Sequence, residues 1–114
     1  MTLLPGVPDV TVLAESIGRL YGDAMGRAPE RVEVCLSPGL LSALLCDCVC
    51  PAEAALGSEE TGSRILREYH DACAGELKGP LDALARRTVG QGVVCAWLTS
   101  APGTRHKVLF AVLT

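Results

Sequence analysis

The stretch from Leu40 to Leu56, LLSALLCDCVCPAEAAL, restricts the fold of this chain more than any other part of it. A run rich in Leu, Val and Cys leaves water, while Pro51 cannot extend a sheet ladder yet suits the first position of a helix. The spacing therefore predicts a strand from Leu40 to about Val49 that turns into a short helix over 51–56. Cys50 falls at the N-cap, a position where Ser, Thr, Asp or Asn is usual because a side-chain oxygen accepts a free backbone N–H. Glu53 falls in the first turn, where the helix dipole favours an acid, so Cys50, Pro51 and Glu53 read as a structural corner before any general-base role.

The elements around this corner follow from periodicity. Pro5 and Pro8 imply an irregular arm over residues 1–8. Val12, Leu13, Ser16, Ile17, Leu20, Tyr21 and Ala24 share one helical face over residues 10–25, and Gly26 and Pro29 end that helix. In Glu30 to Ser37, apolar Val32, Val34 and Leu36 alternate with Arg31, Glu33 and Cys35, as in a strand with one wet face. Ser37, Pro38 and Gly39 supply the turn of an antiparallel hairpin.

Ser58 is expected to cap a long helix with Glu59 and Glu60 in its first turn. Its stripe is Ile65, Leu66, Tyr69, Ala72, Cys73, Leu77, Leu81 and Leu84, with a kink or break near Gly79 and Pro80 and an end near Thr88. Val93 to Thr99 and Lys107 to Leu113 then form a second hairpin. The fold class is α+β, a mainly antiparallel four-stranded sheet with helices on one face in the order α-β-β-α-α-β-β, as one domain over residues 9–114.

The order and landmarks resemble the MpsC-like family, small proteins named for association with a sodium-translocating, membrane-potential-generating system. The matching features are Tyr21, the run Gly26-Arg27-Ala28-Pro29-Glu30-Arg31-Val32, and the corner Val49-Cys50-Pro51-Ala52-Glu53 with Leu56. Arg64, Arg67, Pro80, Gly90 and Phe110 to Leu113 extend the match, so that it covers roughly residues 15–113. Cys50 stands where the family's Leu-Thr-Pro-Ala-Glu pattern has Thr. The resemblance implies a fold and a genomic association with a membrane ion-transport system rather than a mechanism, and with them the expectation of an accessory module for which a protein partner in such a system is one candidate.

Charge and composition exclude several functions. A formal net charge of −3 with acids and bases interspersed leaves no electrostatic footprint for nucleic acid. No apolar run approaches the roughly 20 residues that span a bilayer, and the N-terminus lacks the basic region of a secretory signal. A cytoplasmic location, six reduced cysteines and no direct membrane insertion are therefore expected.

Cys46, Cys48 and Cys50 would share one strand face with about 7 Å between neighbours. With Cys35 across the hairpin, that face could hold a soft metal or a small ligand in a sensor, but no CxxC pair or adjacent histidine completes a zinc set. Small buried hydrophobes are the simpler reading, and no cofactor is expected. His70 with Asp71 or Cys73 makes no catalytic dyad, since adjacent helical positions diverge; solvated histidines are expected at 70 and 106. Without a catalytic set, the expected function is a non-enzymatic interaction module. Leu45, Asp47, Val49 and Trp97 are expected on an open sheet face that a second copy or another protein covers.

Overall fold

A computed structural model describes residues 9–101 and 103–114. The arm expected over residues 1–8 lies outside the described residues. Helix α1 runs Val10–Met25, strand β1 Arg31–Ser37, strand β2 Leu40–Cys46, helix α2 Pro51–Gly57, helix α3 Glu60–Thr88, strand β3 Val93–Ser100 and strand β4 Lys107–Leu113. The four strands form one antiparallel sheet in the order β1-β2-β4-β3. This is the α+β architecture that periodicity predicts.

Register decides which side chains meet the helices. Val34 lies opposite Ala43, which lies opposite Leu109, which lies opposite Leu98. This inward row joins Leu13, Ile17 and Tyr21 of α1 and Leu77, Leu81 and Leu84 of α3 in one aliphatic core. The intervening positions of each strand face away from the helices.

Local chemistry sets most boundaries. Asp9 caps α1, its carboxylate accepting from the Thr11 and Val12 N–H groups at 2.9 and 3.4 Å, and Gly26 ends the helix at a φ of 81°. Strand β2 stops at Cys46 rather than near Val49. Asp47 turns left-handed, with a φ of 52°, and donates its N–H to Nδ1 of His106 at 3.1 Å. The next two amides donate to the Arg105 carbonyl, so the chain leaves the ladder before the expected end.

Helix α3 ends at Thr88 as expected but departs from expectation at its start and at Pro80. Its N-cap is Glu59, while the Ser58 hydroxyl donates back to the Ala55 carbonyl and so closes α2. The helix passes Pro80 without a break. Pro80 leaves the Glu76 carbonyl without its helical donor, but both residues are exposed, so water can serve it. Burial falls on Leu66, His70, Cys73, Ala74 and Leu77, whereas Ile65 and Tyr69 are about half exposed, so the apolar stripe is rotated from the expected one.

Candidate functional site

Where the three helices meet the end of the sheet, the aliphatic core gives way to a buried polar cluster. Its centre is Lys107, the first residue of β4, which shares the inward face of Leu109, Ala111 and Leu113 and is only 1 % exposed. An ammonium rarely occupies such a place unless paired. Here its Nζ lies 2.7 Å from Oε2 of Glu53 and donates to the Tyr21 hydroxyl at 3.2 Å. The rings of Tyr21 and Tyr69 stand 5.9 and 5.8 Å from the ammonium, within cation–π range. Lys107 thereby ties the sheet to α1, α2 and α3 at once.

Glu53 is delivered by the corner that the sequence marks. Pro51 opens α2 and Cys50 is its N-cap, but the thiol makes no capping bond and instead donates to Oε1 of Glu53 at 3.5 Å. Oε2 lies 3.6 Å from Nε2 of His70. His70 is 4 % exposed, so the expectation of a solvated histidine is wrong; it sits one turn beyond Leu66 on the buried stripe of α3. The packing of α2 against α3 encloses it.

These charges set one another. Burial alone would lower the Lys107 pKa, but the Glu53 carboxylate and the Tyr21 hydroxyl outweigh it and push it up to about 12. Burial works upward on Glu53, where Lys107, Cys50 and His70 prevail and hold the carboxyl below its usual range. Burial, with the nearby ammonium, pulls His70 down and keeps it neutral at pH 7. Burial raises Tyr21 to about 12, against the lowering effect of Lys107. The cluster at neutral pH is therefore one ion pair surrounded by neutral groups.

Beside the cluster a cleft of about 670 Å³ opens between α2, the first half of α3 and the end of β3. Among the described residues, Oε2 of Glu53, Nε2 of His70 and Oγ of Ser100 are shielded from solvent without a well-formed hydrogen bond. All three residues line the cleft. Of these, Oε2 of Glu53 is held in the close ion pair with Lys107 at 2.7 Å.

The cysteines do not assemble as strand alternation suggests. All six are free thiols. Cys48 joins the core and donates to the Leu45 carbonyl at 3.2 Å, Cys50 sits beside Glu53, and Cys35 is exposed on the far side of the sheet. Cys46 is buried outside the core cluster. The turn at Asp47 removes the shared strand face that would bring Cys46, Cys48 and Cys50 toward one metal. Among the described residues, no group of three or more His, Cys, Asp or Glu side chains is placed to hold a metal ion.

The expected interaction residues are likewise dispersed. Leu45 faces the helices with 0 % exposure, because it shares the parity of Leu41 and Ala43. Asp47 and Val49 lie in the connection to α2 rather than on the sheet. Trp97 does stand on the open face, half exposed and opposite Phe110.

The model of the family described as Na+-translocating membrane potential-generating system (MpsC) matches residues 11–114. The chain belongs to the MpsC family. No curated protein and no solved structure matches it. In this MpsC chain the match spans every element that carries the polar cluster: Tyr21 on α1, Glu53 on α2, His70 on α3 and Lys107 on β4. Among the described residues, no helix is long and apolar enough to cross a membrane.

Proposed function

We propose that this MpsC protein is a non-enzymatic, cytoplasmic accessory module that works as a homodimer through the open face of its sheet. The observation that carries this reading is the composition of that face. Leu40, Leu44, Val108, Phe110, Val112, Cys95 and Trp97 all point away from the helices, and Val94 bulges out beside them. Leu40, Val94 and Trp97 are 37, 52 and 50 % exposed, too contiguous an apolar surface to leave in water.

A second copy suits this face better than an unlike partner. Polar and charged Arg31, Glu33 and Ser37 lie along the β1 edge while the centre is apolar, the core-and-rim arrangement of an interface. Arg31 and Glu33 carry opposite charge side by side, so a two-fold contact can set each against the other's counterpart. Seven-residue strands at about 3.3 Å per residue and about 4.8 Å apart make a face roughly 20 Å square, a footprint of about 400 Å² and so a contact at the small end of the interface range. The family's description supports a further partner within a sodium-translocating system, reached through surfaces that the dimer leaves open.

Sedimentation equilibrium tests this directly. The protein should be a dimer at micromolar concentration, and Trp97→Glu should make it a monomer with an unchanged circular dichroism spectrum. A wild-type monomer up to about 100 μM would overturn the proposal.

A further inference from the structure

On the helix side of the molecule a groove of about 550 Å³ runs between α1 and α3. Leu20 and Leu84 line its inner part, and the exposed side chains of Ala24 and Pro80 continue the apolar surface outward. Each helix adds one acid and one base: Arg19 and Asp23 from α1, Glu76 and Arg87 from α3, all four exposed. Among the described residues, none of these four forms an ion pair.

Sheet register fixes how the charges are arranged. Helix α1 leads into β1, whose first residue, Arg31, pairs with Cys46 beside the Leu45–Lys107 end of the sheet. Helix α3 leads into β3, whose first residue, Val93, pairs with Leu113 at the opposite end. The two helices therefore run in opposite directions. Asp23, late in α1, and Glu76, the earliest α3 residue of the groove, lie toward one end; Arg19 and Arg87 lie toward the other. Pro80 strengthens the acidic end, because it leaves the Glu76 carbonyl without its helical donor and so adds a main-chain acceptor to the two carboxylates.

This pattern specifies an occupant. At 1.5 Å per residue, Ser16 to Ala24 and Glu76 to Arg87 extend about 12 and 17 Å, the length of about three helical turns. A small ligand would need opposite charges at the two ends of that span. A helix carries them readily, since acids in its first turn and bases in its last complement its own dipole. With its first turn at Arg19 and Arg87, such a helix brings lysines of its last turn to Asp23, Glu76 and the free carbonyl. Leucines four residues apart on its inner face then cover Leu20 and Leu84.

We propose that the groove between α1 and α3 binds an amphipathic helix of a partner protein, acidic at its start and basic at its end, laid parallel to α1. The groove lies across the molecule from the open sheet face, so the proposal does not depend on dimerisation.

Isothermal titration of the full chain at low salt with three capped, alanine-based peptides of about 14 residues tests this, with amide NMR shifts to locate the binding. One peptide has Glu in its first turn, Leu at four-residue spacing and Lys in its last turn; the second has the charges exchanged; the third has Gln for Leu. The first should bind with a dissociation constant of about 100 μM or tighter and shift the amides of Leu20, Ala24 and Leu84. The second and third should bind about tenfold or more weakly, for lack of charge match and of apolar cover. Arg87→Glu, at an exposed position, should weaken the first peptide and strengthen the second, whereas Trp97→Glu on the open face should change neither. Equal binding of the first two peptides, or no shift of these amides at about 1 mM peptide, would overturn the proposal. So would a change in the sedimentation profile on Ala24→Arg, which would make a second copy of the chain the occupant.

Discussion

Lys107 and Glu53 form a buried ion pair whose two halves are not equivalent. Lys107 is wholly enclosed, whereas the Glu53 side chain keeps 16 % of its surface accessible toward the cleft. Removing one member of a buried pair typically costs about 3–5 kcal/mol, mainly because the other charge is stranded. Glu53→Gln strands an ammonium with no route to water, so it should lie near the upper end of that range. Lys107→Met strands a carboxylate that can protonate or turn outward and should cost less. The double variant should cost well under the sum of the singles, which urea denaturation of the four proteins would measure; strict additivity would mean that the two residues do not act as a pair. At the neighbouring N-cap, Cys50 makes no capping bond, so Cys50→Thr should add about 0.5–1 kcal/mol in the same assay by supplying an oxygen acceptor.

Among the elements, the junction of α2 and α3 is where local preference and tertiary packing conflict most clearly. Gly62 lies in the first turns of α3, where alanine would ordinarily gain about 1 kcal/mol, but a Cβ there would run into the Leu56 carbonyl. Gly75, farther along the same helix, is exposed with open space around it. Gly75→Ala should therefore raise the thermal midpoint while Gly62→Ala lowers it, and equal gains at both sites would show that α2 does not sit tightly on α3. The same contrast explains what was legible beforehand. The alternation in Arg31–Ser37 has one consistent parity, Val108–Leu113 is a short continuous apolar run, and the glycines and prolines mark turns, so the elements and their order could be read directly. The end of β2 could not, because it depends on His106 receiving the Asp47 amide across a large sequence separation. Nor could the rotation of α3: the rows through Ile65 and Tyr69 and through Leu66 and His70 both carry apolar residues, and it is the packing against β3, α1 and α2 that selects the second. Lys107 shares the parity of three core residues, but with Val108 to Leu113 apolar throughout, the sequence does not mark which parity is inward, and Glu53 as its partner emerges only from the way the corner folds over α3.

Across the whole molecule, the cluster makes stability depend on pH in a pattern that can be assigned to residues. His70 has a folded pKa below its ordinary 6.5, so the unfolded chain takes up the proton first. Its contribution is present above pH 6.5 and is lost as pH falls toward the folded value. Glu53 is depressed in the same sense, so its contribution is lost in more acid solution, below its ordinary 4.5. Lys107 and Tyr21 are both raised to about 12, from 10.5 and 10.0, so their contributions are complete below pH 10 and vanish as pH rises through about 12. The thermal midpoint should thus be level from about pH 7 to 9, begin to fall below pH 6.5 and fall again above pH 10. His70→Gln, which keeps a neutral polar group on the helix, should remove the first acid decline and leave the alkaline one untouched. Melting curves at fixed protein concentration, so that any association contributes equally, would separate the two limbs. A decline below pH 6.5 that persists unchanged in His70→Gln would show that the buried histidine is not its source, and that the linkage among α2, α3 and β4 runs through Glu53 and Lys107 alone.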